Sequence, residues 1–276
     1  MPHSQDFTPI VLTIAGSDSG GGAGIQADIK AISATGSYAC SVITAITSQN
    51  TQGVTAIHPI PIEHIESQLD AVFTDLNVAA VKVGMLADTE IIKVVAAKIR
   101  QYQPKHLVVD PVMVATSGDL LLERSAISTL KQELLPLADL ITPNLPEGAA
   151  LIGGEIPQDK DQMGAMIESL RTLDAKAVLL KGGHLETHQS SNDLLIQQQS
   201  SELLCAKRVA TKNTHGTGCT LSSAITSYLA QGNRLHKAVY LGKQYISQAI
   251  AHADQLEVGN GHGPVHHFFC GHTNVR

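Results

Sequence analysis

The sequence has no apolar run long enough to cross a bilayer, no cluster of lysine and arginine, and no pair of cysteines at metal-binding or redox spacing. Its longest apolar stretches, such as 175–180, fall far short of the roughly 20 residues that a membrane helix needs. A formal charge of −6 supplies no basic field for a phosphate backbone. Neither a membrane nor a nucleic acid is therefore expected as a partner. Cys40, Cys205, Cys219 and Cys270 lie far apart, which argues against a disulfide scaffold or a zinc ribbon and leaves reduced thiols as the expectation. Residues 1–9 are polar, contain Asp6 and lack the basic-then-apolar order of a secretion signal, so a cytoplasmic location is expected. Two nucleotide fingerprints are missing as well. There is no G-x-x-x-x-G-K-[ST], and Gly20, Gly21, Gly22 and Gly24 crowd together without giving G-x-G-x-x-G. No internal repeat or linker interrupts the 276 residues. One domain over 10–268, between polar tails at 1–9 and 269–276, is expected.

What is present is a regular alternation. The apolar run 10–15 reads as a strand buried on both faces, 25–36 as a helix, and 40–47 as a second strand. Helical spacing at Ile62, Ile65, Leu69 and Val72 precedes a strand at 79–83; Ile91, Ile92, Val95 and Ile99 precede a strand ending at Asp110. A helix through Ile127, Leu130 and Leu134, a strand at 140–142, a helix over 163–173 and a strand at 177–181 continue the rhythm. Residues 192–209 break it with two short apolar stretches around a Gln/Ser-rich turn, the pattern of an antiparallel edge hairpin. Helices over 218–231 and 235–256 complete an α/β fold: a mostly parallel central sheet, helices on both faces and a small antiparallel edge addition.

In such a sheet, ligands bind beyond the carboxyl ends of the strands. Asp18, Gln49, Met85, Asp110, Asn144, Glu147 and Lys181 all fall just after predicted strands. The most specific local feature is Asn213-Thr214-His215-Gly216-Thr217-Gly218-Cys219-Thr220, which opens a helix. Its glycines permit close backbone approach, and its free N–H groups would point at an anion; a plain Gly-rich N-cap reads the same way. Asn144-Leu145-Pro146-Glu147 puts an amide and a carboxylate on a first helical turn, either as a cap or beside a hydrated magnesium ion bridging to phosphates. Asp110 before Pro111 is a second acidic group for that metal or a turn residue, and Lys181-Gly182-Gly183-His184 offers an ammonium to phosphate oxygens or simply starts a turn. His262, His266, His267 and His272 near Cys270 follow no ligand spacing, and no role is assigned to them.

Taken together, Thr13 to Asp18, the Gly-Gly-Ala-Gly-Ile-Gln-Ala-Asp run ending at Asp28, Asp110 to Met113, Thr142 to Glu147, Lys181 to His184 and Thr214 to Thr220 form an ordered set. This set resembles the bacterial hydroxymethylpyrimidine/phosphomethylpyrimidine kinases, close relatives of the pyridoxal kinases, from about residue 10 to 268. The resemblance implies a ribokinase-like fold, a homodimer, and two successive transfers of a phosphoryl group from ATP with Mg²⁺. The first goes to 4-amino-5-hydroxymethyl-2-methylpyrimidine and the second to its monophosphate, within thiamine biosynthesis.

Carried over by motif, the resemblance places Asp110, Asn144, Glu147, Lys181 and Thr214 on the nucleotide side, with Asp110 and Glu147 near the metal. Gln49, Asp28, Gly16, Met85 and Val112 fall on the pyrimidine side. A carboxamide at Gln49 suits an aminopyrimidine edge because it both donates and accepts. Gly216, Thr217, Gly218 and Cys219 hold the transferring phosphoryl group, Cys219 standing where most ribokinase-like enzymes have an aspartate base. A helix N-terminus is expected to lower the thiol pKa enough for Cys219 to take the alcohol proton. Gly20 departs from the more usual serine, which predicts a looser loop, and 17–24 and the segment after Met113 are candidate lids. Three rival readings are a pyridoxal kinase, a binding regulator without turnover, and a redox protein built on Cys219. The last is disfavoured because no resolving cysteine lies near.

Overall fold

The computed structural model describes residues 7–113, 126–183, 185 and 190–269. The segment after Met113, His184, Cys270 and most of both predicted tails lie outside these residues. Among the described residues an eight-stranded sheet runs in the order β10-β9-β8-β7-β6-β5-β1-β2. Its strands are β1 (Ile10–Ala15), β2 (Tyr38–Ile43), β5 (Val78–Val83), β6 (Leu107–Val109), β7 (Leu140–Ile141), β8 (Ala177–Lys181), β9 (Asp193–Gln197) and β10 (Ser201–Leu204). Strands β1, β2 and β5 to β8 pair in parallel, and β8, β9 and β10 pair antiparallel at one edge, as the break in rhythm predicts.

Side chains alternate across this sheet. Leu12, Ile14, Val81, Val83, Leu107 and Val109 pack against α2 (Ile62–Asp75), α3 (Thr89–Tyr102), α5 (Leu145–Ile152) and α7 (Ile167–Arg171). Val108, Leu140, Leu179 and Leu195 face the other layer, α8 (Thr217–Ala230) and α9 (Leu235–Ala251), with α1 (Gly24–Ala34) beside α8. Thr13 and Lys82, one residue out of phase with the first set, therefore point toward α1 and α8. No helix among the described residues is long and apolar enough to cross a membrane.

The predicted strand 40–47 is two strands. At Thr44 the chain leaves the sheet, and β3 (Ala45–Asn50) pairs antiparallel with β4 (Gly53–Pro59) in a separate hairpin. The corner is polar yet fully buried. Thr44 N–H donates to Ala15 O, its hydroxyl donates to Met85 O, and its carbonyl accepts Ile60 N–H. Every polar group being satisfied, a β-branched residue can turn the chain here without an exposed loop. Gln49 is thus within the hairpin rather than after a sheet strand.

The helical predictions also break in places. The helix over 163–173 divides at Met166 into α6 (Lys160–Ala165) and α7, and that through Ile127 is one α-turn, Ala126–Thr129 (α4), followed by a π-turn at Leu130–Leu134 and a 3-10 turn at Leu135–Leu137. The helix 235–256 stops at Ala251, and a 3-10 turn, Ala253–Gln255, follows.

Candidate active site

Adjacent parallel strands bring Asp110, Asn144 and Lys181 together at the carboxyl end of the sheet. Asp110 follows β6, Asn144 follows β7, and Lys181 ends β8, whose N–H bonds to Pro143 O at 2.8 Å. The Lys181 ammonium donates to Asp110 Oδ1 at 2.8 Å, and Thr142 donates to the same oxygen at 2.9 Å. Burial alone would raise the Asp110 carboxyl; the charges of Lys181 and Lys82 and these hydrogen bonds outweigh it and hold the group below its ordinary range.

Asn144 and Glu147 form a reciprocal cap on α5: Asn144 Oδ1 accepts Glu147 N–H, and Glu147 Oε2 accepts Asn144 N–H, both at 2.8 Å. Burial, reinforced by the Asp110 charge, pushes the Glu147 carboxyl up to about 7 despite Lys181 and backbone donors from Asn144 and Met113. The cap and the metal readings of this motif are therefore compatible in one residue pair.

Helix α8 enters over this corner. Gly216 caps it with φ +77°, and a β-carbon there would lie 1.8 Å from Gly22 O, so only glycine fits. A β-carbon on Gly218 would lie 3.1 Å from Lys181 Nζ and 3.5 Å from Asp110 Oδ2. Gly218, in the first turn of α8, thus stands against the Lys181–Asp110 pair, and Thr217 donates both its N–H and its hydroxyl to Thr214 O to brace the approach. Cys219 is partly buried, and Gly24 N–H at the start of α1 donates to its sulfur. The expectation of a lowered thiol pKa is corrected here. Burial pushes the thiol up to about 11, with Asp28 and Asp110 adding to the rise, more than Lys82 and the Gly24 N–H bring it down.

On the opposite side, Asp18 organises the glycine loop. Its carboxylate accepts N–H from Gly20 at 2.8 Å, Gly22 at 3.0 Å and Ala23 at 2.8 Å, and it meets His215 Nε2 at 2.8 Å. Gly20 is pinned by this bond rather than loosened. The Gln49 amide lies 3.4 Å from the same His215 nitrogen, while its backbone exchanges hydrogen bonds with the Ser19 hydroxyl. Met85 Sδ covers Gly16, where a β-carbon would lie 3.2 Å away, and Val112 is tied to Asp110 O through its N–H. Gly16 and Met85 therefore gather at the end of β1 and the foot of the hairpin, while Gln49 is near the hairpin tip, beside His215.

Asp28 stands apart from the expected pyrimidine contacts. It is fully buried, and its two oxygens accept four hydrogen bonds: two from Lys82, one from Thr13 and one from Ser223. No lone pair of this carboxylate remains for a ligand.

Two residues escaped the sequence reading. Lys82 lay inside an apolar strand run, and a lysine in such a run was the available signal. His215 lay unweighted within the glycine motif. A third omission is the C-terminal strap, 259–267. Its backbone bonds to Thr51, Asn213 and His215, and its His267 ring meets Thr220 Oγ1 at 2.9 Å. The strap joins the hairpin tip to the turn that leads into α8.

Residues 18–266 match the protein family described as phosphomethylpyrimidine kinase. The chain is 53% identical over 262 residues to the hydroxymethylpyrimidine/phosphomethylpyrimidine kinase of Rhizobium meliloti, covering 95% of this chain and 98% of that one. It is 48% identical to the Escherichia coli protein of the same name, covering 93% and 96%. Among solved structures, the Bacillus subtilis pyridoxal kinase in its ADP complex superposes with a TM-score of 0.87 at 35% identity, over 95% of this chain and 98% of that one. The phosphomethylpyrimidine kinase of Clostridium difficile gives 0.77 at 46% identity, over 88% and 100%. With this match over nearly its whole length, on a ribokinase-like fold shared with pyridoxal kinases, the chain belongs to the phosphomethylpyrimidine kinase family.

Proposed function

We propose that this chain is a bifunctional kinase of thiamine biosynthesis that phosphorylates hydroxymethylpyrimidine and then its monophosphate with ATP, one site serving both steps. The observation that carries this reading is the Lys181–Asp110 pair standing against Gly218 in the first turn of α8. Phosphoryl transfer needs positioning and charge stabilisation more than covalent chemistry, and this corner offers an ammonium and backbone N–H groups to one anion. Lys181 and the turn at Thr214 receive the nucleotide phosphates. Gly216, Thr217 and Gly218 hold the transferring group.

Gln49, Gly16, Met85 and Val112 make the pyrimidine pocket, with Gln49 presenting its carboxamide to the aminopyrimidine edge. Asp28 supports that pocket from beneath. The acceptor oxygen forms a bond to the γ-phosphorus as the bridge to ADP breaks, and the hydroxymethyl proton passes to Cys219 as thiolate. Since the thiol lies near 11, thiolate is a minor form at neutral pH, and the first step should quicken as pH rises. The monophosphate acceptor of the second step is already anionic and needs no such base.

Glu147 and Asp110 suit a Mg²⁺ that arrives with the nucleotide. Among the described residues no cluster of three or more His, Cys, Asp or Glu builds an all-protein cage. Mg²⁺ in kinases takes one or two carboxylates plus phosphate oxygens and keeps several waters. When bound, it neutralises charge gathering on the phosphates. The single domain over 10–268 acts in the cytoplasm, where ATP is supplied, and as a homodimer.

The test is ADP release from Mg·ATP with hydroxymethylpyrimidine, its monophosphate, pyridoxal and ribose supplied separately, products being identified by mass. Turnover on both pyrimidines is expected. Turnover on pyridoxal alone would move the substrate to the vitamin B6 side, and none on any acceptor, from folded protein, would sink the kinase reading.

A further inference from the structure

Lys82 is a fully buried lysine in the middle of a parallel sheet, a placement that strongly disfavours charge unless the charge is paired. Its partner is Asp28 on α1, bound through both oxygens at 2.9 and 2.8 Å. Thr13 of β1 and Ser223 of α8 complete the carboxylate at 2.6 and 2.7 Å. Four elements, β1, α1, β5 and α8, thus converge on one ion pair, and none of its atoms reaches solvent. A β-carbon on Gly84, just past the end of β5, would lie 2.6 Å from Lys82 Nζ and 3.1 Å from Ala15 Cβ, so the ammonium lies packed at the carboxyl end of the strands.

The position of this pair relative to the chemistry follows from helix geometry. Ser223 is four residues after Cys219, so the two share one face of α8 a single turn apart. Since Ser223 donates to Asp28 Oδ1, the Lys82–Asp28 pair lies one turn below the Cys219 thiol. Gly24 N–H, which donates to that thiol, begins the helix that carries Asp28.

We propose that Lys82 is a positioning residue of the acceptor half-site: its buried ammonium, anchored by Asp28, sets a fixed positive charge beneath Cys219 that stabilises the thiolate taking the hydroxymethyl proton. This rests on the reading of Cys219 as base. The charged groups facing the thiol are Lys82 from β5, Asp28 from α1, Asp110 after β6 and Lys181 at the end of β8. Lys181 and Asp110 pair with each other toward the nucleotide, which leaves Lys82 as the cation on the acceptor side. The Lys82 charge draws the thiol pKa down and the Asp28 charge pushes it up, the Lys82 effect being the larger of the two.

Lys82→Met alone would strand a buried carboxylate and is expected not to fold, so the informative variant is Lys82→Met with Asp28→Asn, a neutral pair of similar shape. Its fold is checked by a cooperative melt. The alcohol phosphorylation should fall about tenfold, short of the loss expected on removing Cys219 itself, and the phosphate phosphorylation less than about twofold. Peptide-resolved iodoacetamide alkylation of Cys219 should begin at a higher pH than in the native protein. Equal losses in both steps, or an unmoved alkylation profile, would overturn the proposal, because a merely structural strut predicts them. Asp28→Asn alone would strand the ammonium in the same way, so the second variant is another neutral pair, Lys82→Gln with Asp28→Asn, which keeps a hydrogen bond across the site. It should move alkylation upward as the first pair does, and a shift downward or none would also overturn the proposal. Alkylation needs no turnover and so reads Lys82 independently of the base assignment. That assignment is tested separately by Cys219→Ala on the two steps.

Discussion

Gly22 lies so close to the imidazole of His215 that a β-carbon on it would be 2.3 Å from Cδ2. The glycine loop and the turn leading into α8 are thereby in contact through one ring, which also carries the Asp18 hydrogen bond and borders the Gln49 amide. Gly22→Ala must displace that ring. We expect a stability loss of about 1–3 kcal/mol, visible in a denaturant melt, and a higher KM for hydroxymethylpyrimidine with a smaller change in the KM for ATP. Equal changes in both KM values would show that the ring does not serve the pyrimidine side.

Lys181→Met leaves Asp110 buried without its ion partner. The expected cost is about 3–5 kcal/mol, and pairing it with Asp110→Asn should return most of the stability while turnover stays lost. Thermal melts and ADP release on the two variants separate the structural from the chemical part of the pair.

Two buried groups give opposite pH signatures. Glu147 has its carboxyl raised from 4.5 to about 7, so the folded state holds its proton more tightly and loses stability as pH rises through that window. His267 has its imidazole lowered from 6.5 to about 4 by burial, so the folded state resists charging and loses stability as pH falls from 6.5 toward 4. Glu147→Gln should flatten the first slope and raise the melting temperature at pH 8 while lowering turnover. His267→Gln should flatten the second.

Cys219→Ala should slow phosphorylation of the alcohol by roughly 100-fold and that of the monophosphate far less. In the native protein the alcohol step should accelerate with alkaline pH, and the monophosphate step should not share that dependence. A rate ratio unaffected by the substitution, with the fold intact, would transfer the chemistry to the backbone N–H groups of the first turn of α8.

Gly261→Ala would bring a β-carbon to 2.0 Å from Thr51 O. The strap should then part from the hairpin tip, raising the pyrimidine KM several-fold with little loss of global stability, since the contact is at the edge of the fold. Steady-state kinetics beside a thermal melt distinguishes this from general unfolding.

Much of this architecture was legible because hydrophobic period and strand ends are local signals. The alternation of apolar runs and helical spacing gave the parallel sheet, and the placement of Asp110, Asn144 and Lys181 after consecutive strands gave their meeting point. The antiparallel edge followed from a break in that rhythm. What escaped depends on contacts distant in sequence. Thr44 turns the chain out of the sheet by bonding to Ala15, Met85 and Ile60, and nothing in a β-branched run marks such a corner. The rise in the Cys219 thiol comes from burial among Asp28 and Asp110, charges 191 and 109 residues away in the chain, which a helix N-terminus alone does not reveal. Lys82 went unmarked within the strand 79–83 because its counter-ion is on a helix 54 residues earlier.

The strap also bears on the order in which the molecule comes to life. Strands β1 to β8 and helix α8 can collapse as they are synthesised, but His215 receives its backbone partners from Gly263 and Val265, and Thr220 its imidazole from His267. A ribosome must therefore deliver the chain through His267 before the turn into α8 can be fully braced, so the partners that fix this turn are among the last described residues to emerge.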